Sequence, residues 1–493
     1  MRSVNKRCFK AAISVVGLAI GFQSAGMAAD MEDKLQIHGY GHQGYLQASD
    51  NEYLGVDDKG TWDANALALV FIATVDDKSK IWAQLHGTAE KVRLDWAFVD
   101  YQASANLTLR AGQIKLPVGL YNEIRDIEFL HLSTLDPALY QEASEMTDES
   151  FRGVSAVYAV GSLSLDGYVG QTVDVEESAI NKYRRLLGGR VTYKTPVDGL
   201  RFMASAYDSQ AEEIATGTES SKNMWVLSAD YTENNFDLKA EVAAMKFFGE
   251  KSKTYYTQAG YTFVDKWTPF VRYDYITTDT AESSDPSHYQ KTAAVGLGYK
   301  INSSIGVRIE NQWNRGYALP VASGEIVTGT GKVDWTMFAA NINFIFQSWE
   351  TTMKRAIIRS ILAMAISSIL ILPVWAGDVV VIVNKDNNNA MDKAFVAKIY
   401  TGEAKNWPDG GTVFALDQDE NNPVRADFYS SMLGKSVSNM KALWAQNIFS
   451  GKGLPPKVVN LDHEVKKAIG TNKNAIGYIK ASSVDDTVKV VVK

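Results

Sequence analysis

Outside its opening segment the sequence contains no cysteine, because the single cysteine of the chain is Cys8. A disulfide, a thiol nucleophile and a thiolate metal site are therefore excluded from the rest of the protein. Long apolar runs are scarce, with 22% charged and 46% hydrophobic residues over 493 positions. This excludes a bundle of membrane helices, in which each span needs about 20 apolar residues. The net charge of −7 provides no general basic face, so no nucleic-acid partner is expected.

Residue patterns for catalysis are also missing from the sequence. It has no Ser/His/Asp order, no Walker-type phosphate loop and no cluster of metal ligands. His463 beside Glu464 comes nearest to such chemistry, but a solvated helix start explains one histidine with one carboxylate better. We therefore expect a protein that is not an enzyme, with no catalytic residue, no cofactor and no metal site.

Aromatic residues and glycine, in contrast, are plentiful: the chain has 23 Tyr, 19 Phe, 11 Trp and 37 Gly. Such a composition with modest hydropathy is typical of a membrane β-barrel, where lipid-facing and lumen-facing residues alternate along each strand. A soluble β-protein shares this composition. The choice between the two classes therefore depends on the order of the residues.

The chain opens with a pattern typical of a secretory signal peptide. Residues 1–29 begin with basic side chains, continue with the apolar run Ala11–Phe22 and end in small residues before Asp30. This pattern predicts export from the cytoplasm.

The same pattern returns in the middle of the chain. Residues 353–376 start at Met353 with basic side chains and contain the apolar run Ile361–Val374 before a small-residue end. The alternative is a single membrane-spanning helix from about Ala356 to Trp375. Residues 347–352 are interpreted as the junction between residues 30–346 and this internal segment. We hypothesise that two adjacent reading frames are joined here, or that cleavage at the internal signal releases the second part.

Residues 30–346 break into period-two runs of the length of barrel strands, separated alternately by short turns and longer polar loops. We count sixteen runs and predict a transmembrane barrel of about 16 antiparallel strands. A soluble β-sandwich rarely needs so many runs. The runs begin near Leu35, Trp62, Ser79, Lys91, Ala105, Phe151, Ser162, Arg184, Gly199, Asn223, Asn235, Ser252, Trp267, His288, Ser303 and Asp334.

The alternation also assigns the two faces of each run. In the last run the residues expected to face lipid are Phe338, Ala340, Ile342, Phe344 and Phe346. Charged residues such as Asp237, Lys239 and Glu241 are expected to point inward, because a charge on the lipid face is costly.

The link after the fifth run extends from Val118 to Ser150, and loops of this length are usually functional or disordered. The residues that lead into it resemble a motif of the phosphate-selective porin family of outer-membrane porins: Arg110, Gly112, Gln113, Lys115, Pro117 and Gly119. The resemblance covers most of residues 30–346. It implies that this loop folds into the lumen and narrows the pore.

The loop is acidic, which departs from an anion-selective expectation. Its candidate constriction residues are Glu123, Asp126, Glu128, Asp136, Glu142 and Glu145. The candidate wall residues that face it are Arg93, Arg110, Lys115, Arg190, Arg272 and Arg308. A transverse field between acidic loop and basic wall would orient polar solutes and disfavour apolar ones. In the alternative, the loop is a solvated surface flap and the wall charges pair with Asp95, Asp274 and Glu310.

From residue 377 onward strands and helices alternate, which predicts a small α/β domain over residues 377–493. Stretches of this region resemble the periplasmic phosphate-binding proteins of ABC importers: residues 399–407, 421–425, 450–456 and 475–478. The resemblance implies part of a periplasmic substrate-binding fold, because the opening lobe segment of that family is missing.

The phosphate cradle implied by this resemblance is altered. Where the family has a Ser-Gly-Thr turn before a helix, this sequence has Asn422, Pro423 and Val424, which offer no hydroxyl and one N–H fewer. Arg425 at the helix start remains the anion-binding candidate. The alternative is a surface arginine paired with Asp427 or Glu420.

The sequence thus predicts an outer-membrane porin for passive diffusion of small hydrophilic solutes or ions, joined to a periplasmic phosphate-binding-like domain. The expected partners are the lipid of the outer membrane, the permeating solutes, phosphate as a candidate ligand, and further copies of the chain in a homotrimer. In the alternative, the C-terminal domain is the functional core, as a periplasmic solute-binding or envelope scaffold protein.

Overall fold

The computed structural model describes residues 35–492 with gaps at 55, 89–90, 142–143, 145, 174–180, 215, 320, 323–324, 327–331, 347–378, 421 and 460. Both signal-like segments, 1–29 and 353–376, lie outside the described residues. The predicted junction 347–352 and the alternative of a membrane helix lie outside them too.

Residues 35–346 form one closed antiparallel barrel in which each strand pairs with its neighbours in sequence and β1 pairs with β16. The strands are β1 Leu35–Ala48, β2 Asn65–Thr74, β3 Ser79–Gly87, β4 Val92–Ser104, β5 Leu107–Lys115, β6 Ser150–Val160, β7 Leu163–Val173, β8 Asn181–Lys194, β9 Leu200–Glu213, β10 Glu219–Glu233, β11 Phe236–Phe247, β12 Glu250–Tyr261, β13 Trp267–Thr277, β14 Tyr289–Lys300, β15 Ile305–Arg315 and β16 Asp334–Phe346. The prediction of sixteen strands is confirmed.

The inward and outward faces of the barrel follow the alternation of the sequence. In β16, Phe338 and Ile342 are 38% and 45% exposed on the outside, whereas Ala339 and Asn341 are 0% and 5% exposed on the inside. Charged residues such as Glu241 point inward and are buried. Because side chains of a strand alternate between faces, the sequence order alone produces an apolar outside and a polar inside.

The links after even-numbered strands are short, and we call this side the short-turn end. Examples are residues 195–199 after β8 and 301–304 after β14. Some loops at the other end are shorter than expected. The loop between β9 and β10 is only 214–218, because both strands continue pairing through polar residues such as Glu212. Backbone pairing in a ladder does not require apolar side chains, so polar strand ends are easily mistaken for loop.

The C-terminal domain, described over residues 379–492, contains a five-stranded mixed sheet in the order β19-β18-β20-β17-β21. Its strands are β17 Val379–Val383, β18 Phe414–Gln418, β19 Lys457–Val459, β20 Ala475–Lys480 and β21 Lys489–Val492. Its helices are α1 Lys393–Tyr400, α2 Pro423–Phe428, α3 Val437–Phe449 and α4 Asp462–Thr471, with a π-turn at Tyr429–Leu433.

Two apolar layers sandwich this sheet. Alternate residues of β17 pack on one side against α1, α2 and α3, and on the other side against α4. Helix α4 therefore lies on the opposite face of the sheet from α3. In the part of the chain that the structure describes, every helix is too short or too polar to cross a membrane.

Candidate functional site

Residues 116–149, which we call the inner loop, connect β5 to β6 and lie inside the barrel. The loop contains two short 3₁₀ turns, Glu128–Leu130 and Ala138–Tyr140, which pack against strands on different sides of the wall. Its aromatic residues Tyr121 and Tyr140 are each 1% exposed. The loop is thus held as a packed structure across the lumen rather than as a surface flap.

Glu241 of β11 anchors the entry of the inner loop. Its carboxylate accepts hydrogen bonds from the Leu120 N–H at 2.9 Å and from the hydroxyls of Tyr140, Tyr256 and Ser228. Hydrogen bonds to an ionised acceptor are roughly twice as strong as neutral ones. A buried carboxylate with four donors therefore fixes the loop to this wall.

Glu310 of β15 anchors the middle of the loop. It accepts the backbone N–H groups of Thr134 at 2.7 Å and Leu135 at 3.3 Å. The guanidinium of Arg272 donates to the Leu135 carbonyl and to the carboxylate of Asp274, the latter at 2.6 Å. Backbone and side-chain bonds together tie the loop to β13 and β15.

Lys115, the last residue of β5, lies among three carboxylates. The oxygens of Asp95, Asp126 and Glu149 come within 4.8 Å of one another. The Lys115 ammonium donates to Asp126 and Glu149 and lies 3.4 Å from Asp95. The Lys115 ammonium thus occupies the position at which three carboxylates of this kind could bind a metal ion.

Two more cations of the wall meet acidic residues of the loop. Arg190 lies 2.7 Å from Glu123, and Arg308 lies 3.9 Å from Glu128. Lys452 of the C-terminal domain lies 3.1 Å from the same oxygen of Glu123. Burial raises the pKa of Glu123, but Arg190 and Lys452 outweigh it and lower that pKa to about 2. Glu123 is therefore charged at any physiological pH.

All the predicted wall residues point into the lumen, where they have two kinds of partner. The residues that pair with carboxylates of the inner loop are Arg93, Lys115, Arg190 and Arg308. Arg110, 2.7 Å from Asp100, and Arg272, 2.6 Å from Asp274, pair with carboxylates of the wall. Wall carboxylates also lie beside Arg93, Lys115 and Arg190.

The predicted acidic residues of the loop that the structure describes also have charged partners. Glu123, Asp126 and Glu128 face wall cations, whereas Asp136 lies 3.1 Å from His131 within the loop. Glu142 and Glu145 lie outside the described residues. The loop thus lies inside the lumen, and the wall charges are paired at contact distance rather than facing it across open water.

Sequence reasoning did not identify the anchoring role of Glu241 or the pairing of Lys222 with Asp148 at 3.1 Å. The period of two shows that Glu241 and Lys222 point inward. It carries no signal for which inward residues meet the loop, because that depends on the path of the loop through the lumen.

Glu128 is an acidic group of the inner loop whose pKa is raised. Burial raises its pKa to about 7, since the opposing charges of His131 and Arg308 are largely balanced by Asp136 and Glu310. A carboxyl whose folded-state pKa is raised contributes stability below its unfolded pKa of about 4.3 and loses it as the pH rises through the folded value.

We therefore expect the wild type to lose stability between about pH 4.3 and about pH 7 more steeply than a Glu128→Gln variant. Midpoints of urea unfolding, followed by tryptophan fluorescence at several pH values, measure this difference. Glu250→Gln, which changes an exposed carboxylate at the start of β12, is the matched control. A Glu128→Gln profile parallel to that of the wild type would contradict the assignment.

Arg425 of the C-terminal domain is engaged by a carboxylate of its own chain. Its guanidinium lies 2.9 Å from Asp417 and donates to the Tyr429 hydroxyl at 3.1 Å. The hydroxyls of Tyr429 and Tyr478 also donate to Asp417, which is 2% exposed. Burial lowers the pKa of Arg425, but Asp417 outweighs it and holds that pKa above the ordinary value. Arg425, the candidate for binding an anion, thus already pairs with the carboxylate of Asp417 in its own chain.

Comparison with known proteins gives a match for the C-terminal region. The model of the PBP superfamily domain matches residues 363–492. The resemblance of this region to periplasmic binding proteins is thus confirmed at the level of the superfamily. No curated protein matches the chain.

Several solved structures resemble the barrel region. An anion-selective porin from Comamonas acidovorans is 13% identical, with 63% of this chain and 99% of that chain covered and a TM-score of 0.48. OmpT of Vibrio cholerae is 12% identical, with 63% and 97% covered and a TM-score of 0.47. OmpF of Salmonella typhi is 16% identical, with 64% and 98% covered and a TM-score of 0.45. Its own strand pairing and the family match over residues 363–492 identify the chain as a closed sixteen-stranded barrel followed by a PBP superfamily domain.

Proposed function

We propose that the barrel is an outer-membrane porin for passive diffusion of small hydrophilic solutes or ions. The observation that carries this proposal is the closed ring of sixteen strands with apolar side chains outside and charged side chains inside. Only a closed barrel or a helix leaves no unpaired backbone groups in lipid, and a polar interior provides a route for water and solutes.

The constriction of this porin is formed by the inner loop and the wall that it touches. Its proposed acidic side consists of Glu123, Asp126, Glu128 and Asp136, with Glu142 and Glu145 from the same loop. Its proposed basic side consists of Arg93, Arg110, Lys115, Arg190, Arg272 and Arg308. Because most of these charges are paired in contact, the local field is short-ranged, and solutes small enough to pass are sorted mainly by size and hydration.

The short-turn end faces the periplasm in this proposal, because short turns are typical of the periplasmic side of such barrels. An even number of strands brings both ends of the barrel to that side, so the C-terminal domain is periplasmic. Residues 1–29 direct export, and outer-membrane lipid surrounds the barrel. We also propose a homotrimer, which the mobility of unheated protein in detergent gels would reveal.

Planar lipid bilayers test the porin function of the purified full-length chain. Discrete current steps that grow with salt concentration are expected, and reversal potentials in a salt gradient give the ion preference. Heat-denatured protein from the same preparation is the control. The proposal fails if neither the wild type nor the Lys452→Glu chain described below produces current steps.

A second candidate function, periplasmic solute binding, is favoured by the PBP superfamily match over residues 363–492. Phosphate is the ligand that the sequence suggested for it. The geometry of Arg425 argues against tight binding there, because a phosphate at this guanidinium would lie next to the carboxylate of Asp417. The phosphate and the carboxylate of Asp417 would repel each other, and Asp417 already neutralises the guanidinium of Arg425.

We therefore expect no saturable binding of inorganic phosphate to the full-length protein at millimolar concentration. Equilibrium dialysis of labelled phosphate against the detergent-solubilised protein measures it. Arg425→Ala is the control, and its bound phosphate should equal that of the wild type. Saturable binding that disappears in Arg425→Ala would establish the solute-binding function instead.

A further inference from the structure

The end of helix α3 enters the barrel from its short-turn end. Ala445, Ile448 and Phe449 belong to the same buried apolar cluster as the barrel wall and the inner loop. The ring of Phe449 meets the ring of Tyr40 on β1 edge to face, with the ring centroids 5.0 Å apart. Helix α3 also packs against the 3₁₀ turn Glu128–Leu130 of the inner loop. An apolar helix end of the C-terminal domain is thus buried inside the lumen.

The residues after α3 make polar contacts with the barrel wall and with the inner loop. The carbonyl of Gly451 accepts a hydrogen bond from Arg110, and the Lys452 ammonium lies 3.1 Å from the carboxylate of Glu123. Gly451 approaches the Phe98 ring so closely that a Cβ atom there would lie 2.7 Å from Cζ. A wall residue and a residue of the inner loop therefore both have partners in the C-terminal domain.

Further polar pairs lie around the rim of the short-turn end. They are Lys194 with Glu403 at 3.1 Å, Glu233 with Lys435 at 2.9 Å, and Ser304 with Lys441 at 2.6 Å. Lys194 ends β8, Glu233 ends β10 and Ser304 follows β14. Tyr40 and Arg110 lie on β1 and β5. Contacts spread over strands 1, 5, 8, 10 and 14 surround the opening, whereas contact with one flank would involve neighbouring strands only.

The two kinds of contact differ in strength. Exposed ion pairs such as Lys194 with Glu403 contribute little to association, because water screens them. Burial of the apolar Phe449 and Ile448 side chains contributes more, because their apolar surface is removed from water. The apolar end of α3 therefore provides most of the docking energy, and the rim pairs orient the domain.

From these contacts we propose that the C-terminal domain is a plug for the barrel. The surface formed by Phe449, Gly451 and Lys452 fits the short-turn opening, and Lys452 supplies a counter-ion to Glu123. The domain then narrows the lumen at the level of the inner loop. The expected reduction of solute flow rests on the proposed porin function, whereas the docking itself does not.

Cross-linking tests the docking in the full-length chain. With Cys8→Ser as background, Ser304→Cys and Lys441→Cys place two thiols at a rim contact, where a short bismaleimide should join them efficiently. The matched control combines Ser304→Cys with Lys467→Cys, because Lys467 is exposed on α4 on the opposite face of the sheet. Absence of the rim cross-link, or equal yields in both chains, would overturn the proposal.

Single-channel conductance in bilayers tests whether the C-terminal domain obstructs the lumen. Lys452→Glu places a second carboxylate beside Glu123, so the domain should be displaced and single-channel conductance should rise several-fold. Lys467→Glu makes the same charge change on α4 and should leave conductance unchanged. A Lys452→Glu chain that conducts like the wild type would show that the domain does not obstruct the lumen. If the rim pair cross-links but no chain conducts, the porin function fails while the docking stands.

Discussion

Replacing Lys115 with methionine is expected to destabilise the folded barrel by about 3–5 kcal/mol at neutral pH, as when one partner of a buried ion pair is removed. Methionine keeps an apolar side chain of similar length but removes the ammonium. The carboxylates of Asp95, Asp126 and Glu149 would then remain within 4.8 Å of one another. Arg93, 3.7 Å from Asp95 and 3.8 Å from Glu149, is a nearby cation that would remain.

The loss of folding stability in the Lys115→Met variant should become smaller as the pH falls. Crowded carboxylates repel one another, and protonation removes the repulsion. The deficit should therefore be full at pH 7 and shrink as the pH falls toward about 4, the ordinary range of a carboxyl. Urea midpoints of variant and wild type, followed by tryptophan fluorescence at both pH values, measure it.

The matched control is Lys291→Met, which changes an exposed lysine of β14. A surface substitution of this kind is expected to stay within about 0.5 kcal/mol of the wild type. Equal midpoints for the two variants at pH 7 would show that the Lys115 ammonium is not needed to hold the three carboxylates together.

Gly119→Ala is expected to release the entry of the inner loop from Glu241. Gly119 has a φ of +59°, and a Cβ atom at this position would lie 2.0 Å from the Tyr140 hydroxyl and 2.7 Å from a Glu241 oxygen. Alanine in this left-handed conformation costs roughly 1–2 kcal/mol. Loss of the buried hydrogen bonds to Glu241 adds about 1–3 kcal/mol. Unfolding midpoints should fall accordingly, and conductance through the porin should become noisier as the loop detaches.

Gly217→Ala separates the two parts of this effect. Gly217 has a similar φ of +68°, but nothing lies within 4 Å of the position that a Cβ atom would take. This variant should show only the conformational cost of roughly 1–2 kcal/mol. A Gly119→Ala chain that is no less stable than Gly217→Ala would contradict the role of Gly119 in the contact with Glu241.

The strand count of the barrel could be predicted from the sequence because alternation is a local property. Each strand of ten or more residues shows its period over several repeats, and the predicted starts agree with the observed ones within four residues. The short strands β19 and β21 of the C-terminal domain were not predicted. They have three and four residues, too few for a period to be recognised, and they form because β18 and β17 provide backbone partners.

The candidate site could be predicted only in part. The inward direction of Arg190 and Arg308 followed from alternation, and the acidic character of the loop was visible in its composition. Their actual partners were not predictable, because Arg190 and Glu123 are 67 residues apart in the chain. The expected partners of Arg425 were near it in sequence, whereas its observed partner, Asp417, comes from the neighbouring strand β18.

By itself, the sequence determined that residues 35–346 form a barrel and which of their side chains face outward, because side-chain direction in a strand follows from position. It also determined the α/β character of the C-terminal domain, since strands and helices differ in period. Only the tertiary structure decided that Lys115 joins three carboxylates, that Glu241 anchors the loop, and that Lys452 reaches Glu123. The direction of a side chain is set by the position of its residue in the strand. The distance between two charged groups depends instead on how the chain between them folds.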